Sequence, residues 1–388
     1  MRRLWPVALL VILGAGVGGR AQSVEPGDIY LPDLRTLDPA EFHIAEQRNR
    51  TLLLLTNTVW NGGDGPLEMR PEHDEGAGIT EAFQLLFTED EGGNIVQLEG
   101  EQGERPAGSF AFHPEHDHWH FQDLARYELK RVKADGSPGK TLAASEKISY
   151  CMFDQMQVDP ALENAAPGPH YSGSRCETEE FGKNAHIGYS VSWGDEYAYN
   201  FADQDIDITG IAPGRYWVRS TADPEGLIEE TNNDNNAAQT AIALRMVRKE
   251  LVVRTVTRTT GSVCAPCGTE ELERGDDYVF RGSTDPSPGP RPAYPDPTME
   301  LSFKRAGTND WRSFGGRSSN RAFTLLDRDD GSISIEGHWE RAFVARKRGT
   351  WVLRARYGGN DDFTGSGVRT RVEVGWPPIA PRRPREGV

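Results

Sequence analysis

The chain has 388 residues, with 59 acidic side chains against 43 basic ones, a formal net charge of -16 and four cysteines. Such an acid excess excludes a nucleic-acid or anionic-membrane partner, which needs clustered Lys and Arg, and favours cationic partners or plain solubility. The length exceeds what one hydrophobic core usually serves, so two domains are expected.

Residues Met1-Arg2-Arg3, the apolar run from Leu4 to Val17 and the small-x-small site Gly19-Arg20-Ala21 predict a signal peptide over 1–21. That run is shorter than the roughly 20 residues that cross a bilayer. The mature chain is therefore expected to lack a membrane span and to be secreted, periplasmic or held at the cell surface. Beyond it the apolar runs are short, rich in Val, Ile, Tyr, Trp and Leu, and broken by Gly, Pro, Asn and Asp. This pattern predicts an all-β chain, mainly strand with little helix.

In chain order, Leu52 to Trp60 reads as a strand closed by the turn Asn61 to Gly65, and Asp205 to Ile208 with the alternating Tyr216 and Val218 beyond Pro213-Gly214 reads as a hairpin. A first domain over 28–248 ends near Arg248, where the strand Ala241 to Val247 gives way to Leu251 to Val256. A second domain follows over 249–376, with a Pro-rich loop from Thr284 to Pro297. Its closing strands, Gly349 to Tyr357 and Val368 to Val374, resemble the last hairpin of a bacterial immunoglobulin-like repeat. The basic, Pro-rich tail 377–388 is expected to be disordered.

An even number of cysteines in an exported chain predicts disulfides, most simply Cys151 with Cys176 and Cys264 with Cys267. The CxxC spacing of the second pair also suits a redox site or half a zinc site. Zinc would need two more ligands, and His338 is the sole histidine in that half of the chain.

Four of the nine histidines fall in the segment His113-Pro114-Glu115-His116-Asp117-His118-Trp119-His120. On a strand, positions i, i+2 and i+4 share one face, so His116, His118 and His120 can point together. Three neutral imidazoles suit Cu(II) or Zn(II), and oxygen-dependent chemistry favours copper. Three ligands leave coordination positions open for water or oxygen; an exposed His-rich strand without a ligand is the plainer alternative.

His116-Asp117-His118-Trp119-His120 followed by Tyr127-Glu128-Leu129 resembles the copper-binding HxHxH region of lysyl oxidases. Collinear with it are Lys147-Ile148-Ser149-Tyr150-Cys151, Asp195-Glu196-Tyr197 before Ile206-Asp207-Ile208-Thr209 and Pro213-Gly214-Arg215-Tyr216, and the closing Asp223-Pro224, Leu227-Ile228, Glu230 and Asn235-Asn236. Leu31-Pro32-Asp33-Leu34 resembles the opening of the same domain. The resemblance covers about residues 28 to 248 and implies a β-sandwich catalytic domain, followed here by the immunoglobulin-like β-sandwich.

It also implies copper on His116, His118 and His120, and a lysine tyrosylquinone cofactor built from Lys147 and Tyr197. Asp195 is a candidate catalytic base, with Asp203, Asp205 and Asp207 as rivals. The implied reaction is oxidative deamination of a primary amine, either a lysine of a protein or peptide or a small free amine, by molecular oxygen. The products are an aldehyde, ammonia and hydrogen peroxide. The animal enzymes carry further disulfides in this domain, and Arg126 stands where their pattern has another histidine. The stretches Asp203 to Asp207 and Glu229 to Asn236 suit calcium or solvated turns. The competing class is a non-catalytic, metal-binding surface adhesion protein, which has no need of Lys147 and Tyr197.

Overall fold

The computed structural model describes residues 29–375 except 73–78, 116, 178–180, 182–185, 261, 265–271, 274–276, 286–297, 315–317, 320–321, 328–332 and 345–346. The expected signal peptide, His116, Cys267, most of the Pro-rich loop and the tail lie outside the described residues.

The fold is all-β. Among the described residues the helical pieces are the single 3-10 turns Glu101–Gly103 and Gly173–Cys176, and no helix is long and apolar enough to cross a membrane. The largest sheet has nine strands and is organised by the 15-residue strand His118–Val132. Its first residues pair with Glu104–His113, putting His118 opposite His113 and His120 opposite Ala111. Beyond an irregularity between Phe121 and Ala125 it pairs with Gly214–Ala222 on one side and Pro138–Tyr150 on the other. Asp123 sits in that irregularity with a positive φ of 62°, a conformation that bends a strand and re-aims its side chains.

A second sheet, of six strands, forms around Arg50–Asn61, which pairs with Trp193–Tyr197 and Asp205–Asp207 as well as with Leu34–Thr36 and Ala40–Gln47. Leu53, Leu55 and Val59 from this sheet join Phe110, Phe121 and Tyr127 from the larger one in a single apolar cluster. At about 1.5–3 kcal/mol for each fully buried large side chain, this shared burial is what holds the two sheets face to face.

One expectation from the sequence needs correction. The strands Asp205–Asp207 and Gly214–Ala222 do not form a hairpin. The first pairs with Arg50–Asn61 in the smaller sheet and the second joins the larger one, because Ile206 and Val218 are both buried in the core between the sheets and the connecting segment crosses from one to the other. The turn at Arg248 lies inside a sheet, since Ala237–Val247 and Glu250–Thr255 pair antiparallel around it with Arg248 and Lys249 both at positive φ. The change of sheet comes after Thr255.

A small three-stranded sheet joins Ile29–Tyr30, Phe87–Glu89 and Ile95–Gln97, and the strands after Thr255 form a five-stranded sheet, containing Asp277–Asp285 and Ile333–Val344, and a six-stranded sheet, containing Thr298–Arg305, Gly349–Tyr357 and Ser366–Gly375. Gly349–Tyr357 and Ser366–Gly375 pair antiparallel, as the alternation of their residues predicts. Phe280 and Trp339 from one sheet pack with Leu301, Leu353 and Val372 from the other in a second, separate apolar cluster.

Cys151 and Cys176 form a disulfide across 25 residues, tying the end of Pro138–Tyr150 to the turn Gly173–Cys176. Replacing both by alanine is expected to lower the free energy of unfolding by about 2–4 kcal/mol. Urea unfolding checks this, and an unchanged midpoint would show that the bridge constrains nothing in the folding of this region.

Candidate functional site

His118 and His120 lie two residues apart on one face of the strand His118–Val132, while Trp119 takes the opposite face and stacks on Phe181 at 4.5 Å. The Nε2 atoms of His118 and His120 stand 2.9 Å apart. With metal–nitrogen bonds of about 2.0 Å, that chord corresponds to an angle near 90° at a shared metal, the angle between adjacent ligands of a tetragonal Cu(II) ion and narrower than the tetrahedral angle of Zn(II). Among the described residues no group of three or more His, Cys, Asp or Glu converges on one point; the third expected ligand, His116, lies outside them. His113, which sequence reasoning left out, stacks on His120 at 4.7 Å and its Nε2 meets Asp203 Oδ2 at 3.0 Å. The ladder register places it there, opposite His118.

His120 is buried, and its ring meets that of Tyr197 edge-on at 6.2 Å. Tyr197 is 5% exposed, at the end of Trp193–Tyr197 opposite Asn57. Its hydroxyl accepts a hydrogen bond from the Cys151 N–H at 2.8 Å, and its ring lies 3.9 Å from that of Tyr150. Tyr150 belongs to a directed chain of hydrogen bonds. Asn57 Nδ2 donates to Tyr150 Oη at 3.0 Å, the Tyr150 and Tyr127 hydroxyls are 2.8 Å apart, and Tyr127 Oη donates to Gln204 Oε1 at 2.7 Å. With the Tyr127 proton committed to Gln204, Tyr150 donates to Tyr127.

Burial pushes the Tyr197 phenol well above its usual range, and the neighbouring Asp195 carboxyl adds to the effect. Asp195 shares the inward face of its strand with Tyr197 and is 1% exposed; its Oδ2 has no hydrogen-bond partner, and burial, reinforced by Glu196, pushes its carboxyl well up. A nearby positive charge would draw the Asp195 carboxyl back down and favour the carboxylate, the form that can act as a base.

Lys147 is brought to neither Tyr197 nor the histidines. Ile148 and Tyr150 face the core, and Lys147 points to the other face, where its Nζ is 3.1 Å from Asp123 Oδ2 and 3.3 Å from Glu225 Oε1. The hydrogen bond to Asp123 leads in raising its pKa, so the amine is held as a charged ammonium. The bulge that re-aims the histidine strand also supplies Asp123.

Residues 98–253 match the lysyl oxidase family model. Protein-lysine 6-oxidase of Rattus norvegicus is 29% identical over 140 residues, covering 36% of this chain and 29% of that protein. The Homo sapiens protein-lysine 6-oxidase is 28% identical over 137 residues, 35% of this chain and 28% of the other. Lysyl oxidase homolog 1 of Homo sapiens is 27% identical over 136 residues, 35% and 20% of the two chains. The chain thus spans under a third of the length of these relatives. His118, His120, Lys147, Asp195 and Tyr197 all lie within the segment that matches lysyl oxidase.

A second constellation joins the end of that segment to the start of the fold. Asp33, Glu230, Asn235 and Asn236 are buried together: Asn235 Nδ2 donates to Asp33 Oδ2 at 3.0 Å, Asn236 Nδ2 donates to Glu230 Oε1 at 2.7 Å, and the Leu34 N–H donates to Glu230 Oε2. Asp33 Oδ1, Asn235 Oδ1 and Asn236 Oδ1 are buried without a donor. One of these three oxygens belongs to the Asp33 carboxylate, whose other oxygen is paired with the Arg35 guanidinium at 2.6 Å; buried carboxylate and amide oxygens are the donor type that a hard cation such as calcium takes. The other stretch considered for calcium disperses, with Asp203 on His113 and Asp207 on Thr209.

Burial raises the Glu230 carboxyl from its ordinary 4.5 to about 8. Its contribution to stability is full below pH 4.5 and is lost as the pH rises through about 8. Without divalent cations, stability is expected to fall across that window with a slope approaching about 1.4 kcal/mol per pH unit. Millimolar calcium should flatten the slope, and denaturant midpoints measured with calcium and with chelator from pH 5 to 8 check this.

Proposed function

We propose that the chain is a copper-dependent amine oxidase of the lysyl oxidase family, acting on primary amines, foremost lysine side chains of proteins or peptides. The observation that supports it most is the placement of His118 and His120, spaced for one metal, beside the buried ring of Tyr197 within the segment 98–253 that matches lysyl oxidase. In this reading His116, His118 and His120 hold copper, the 1–21 segment exports the chain, the sheets after Thr255 form an immunoglobulin-like sandwich, and Asp33, Glu230, Asn235 and Asn236 hold calcium.

When bound, copper together with a quinone derived from Tyr197 and Lys147 supplies the oxidation of an amine by oxygen to an aldehyde, with release of ammonia and hydrogen peroxide. The chain's own residues do the rest. Tyr150 and the Cys151 N–H fix the Tyr197 ring, and burial keeps water from it. Phe201, 47% exposed and 5.8 Å from the Tyr197 ring, offers an apolar wall for the alkyl part of a substrate. Asp195 lies on the inward face shared with Tyr197 to take a proton once ionised. The net charge of -16 draws cationic amines toward the protein. Lys147 has to leave Asp123 and Glu225, and lose its proton, before its amine can act as a nucleophile.

Peptide mass spectrometry after expression with copper in air is expected to find Lys147 joined to Tyr197 in a species trapped by phenylhydrazine. Tyr197→Phe should abolish both the trapping and amine-dependent peroxide release, while His120→Ala should lower bound copper. A copper-loaded, aerated protein with Lys147 and Tyr197 unmodified would instead support the non-catalytic adhesion reading, which the outward placement of Lys147 favours.

A further inference from the structure

The six-stranded sheet near the C-terminus carries a concentration of positive charge at odds with the acidic chain. Its inward face is apolar, through Leu301, Leu353 and Val372. The alternate positions of the same strands present Lys304, Arg354, Arg356, Arg369 and Arg371 on the outward face. Among the described residues none of these five forms an ion pair with a carboxylate, although Glu300 stands opposite Arg356 in the ladder. Arg354 lies directly across from Arg369, and like charges in that position destabilise a sheet.

One aromatic ring gathers the cluster. Arg354 lies 4.2 Å from the centroid of Trp311, Lys304 5.1 Å and Arg369 5.7 Å. Arg354 Nε donates to Ser302 Oγ at 3.1 Å and Lys304 Nζ donates to the Thr308 carbonyl; a guanidinium stacked in this way still has further N–H groups to offer a carboxylate. A shallow groove of about 470 Å³ shares Arg354 and Arg369 with this cluster and is lined further by Arg356, Tyr357 and Ser366 of the same two strands.

We propose that this face docks an extended, acidic polypeptide segment of a partner protein. Arg354 and Arg356 are two residues apart on one strand, and Arg369 and Arg371 two apart on its neighbour, so each row repeats its charge every ~6.7 Å. An extended peptide with an acidic residue at every second position repeats carboxylates at the same interval. A membrane or a broad polyanion would bring the whole acidic surface into contact, whereas one extended strand meets only the groove. At physiological salt, with a screening length of about 8 Å, the distant carboxylates of the chain are largely hidden from it. This inference does not depend on the oxidase reading.

The test is fluorescence anisotropy with the full chain and two labelled peptides of equal composition, one alternating Glu and Thr, the other with its glutamates in one block and its threonines in another. The alternating peptide is expected to bind at least about fivefold more tightly, and Arg369→Glu with Arg371→Glu to weaken it at least about tenfold. Arg245→Glu, at an exposed position in the larger sheet, should change it less than about twofold. The milder Arg356→Gln with Arg371→Gln gives the same comparison should charge reversal impair folding, which thermal unfolding of each variant reports. Absence of binding at low salt, or equal binding of both peptides, overturns the proposal. So does tighter, equally variant-sensitive binding of a sulfated oligosaccharide or of anionic phospholipid vesicles.

Discussion

The packing of Tyr197 against Tyr150 is the contact on which the rest of the site depends, because the two rings come from different sheets. Tyr197 ends a short strand of the six-stranded sheet and Tyr150 ends a long strand of the nine-stranded one. Where two sheets meet, polar atoms lose water, and each has to find a partner or stay neutral. The hydrogen bonds from Asn57 through Tyr150 and Tyr127 to Gln204 satisfy that requirement across the seam. Position and acidity are set together: the seam that orders Tyr197 also raises the pKa of its phenol and of the Asp195 carboxyl, because burial disfavours their charged forms.

That burial gives the histidines their meaning. A pair of imidazoles on the edge of a buried tyrosine and aspartic acid is a place where added positive charge is favourable, since it would stabilise phenolate and carboxylate alike. Lys147 shows the opposite arrangement. Its charge is already compensated by Asp123 and Glu225 on the outward face, so the lysine and the tyrosine of the proposed cofactor are stored apart, each in the protonation state that does not react.

Polar burial also explains the region around Glu230. Asp33 leads into the strand Leu34–Thr36 of the six-stranded sheet and Asn235 and Asn236 lead into Ala237–Val247 of the nine-stranded one some two hundred residues later, so their side chains tie the two sheets together. The C-terminal sheets repeat the lesson with the sign reversed: a cluster of cations is tolerated on an outward face because Trp311 and water solvate it, at a cost that a bound acidic strand would offset.

Much of this was legible in the residues themselves. Alternation along Gly349–Tyr357 and Ser366–Gly375 specifies strands, the i, i+2 spacing of His118 and His120 specifies a shared face, and two cysteines 25 positions apart specify a bridge, because each is a local property of backbone geometry or of covalent chemistry. What only the tertiary structure decided is non-local. Asp205–Asp207 and Gly214–Ala222 look like a hairpin, yet each finds a better-buried partner in a different sheet. His113 and Tyr150 join the site because ladder register and sheet packing put them there, and Lys147 turns outward because the residues on either side of the core-facing Ile148 must face away from it. Alternation tells which residues share a face; only the packing of one sheet on another decides which face is buried against what.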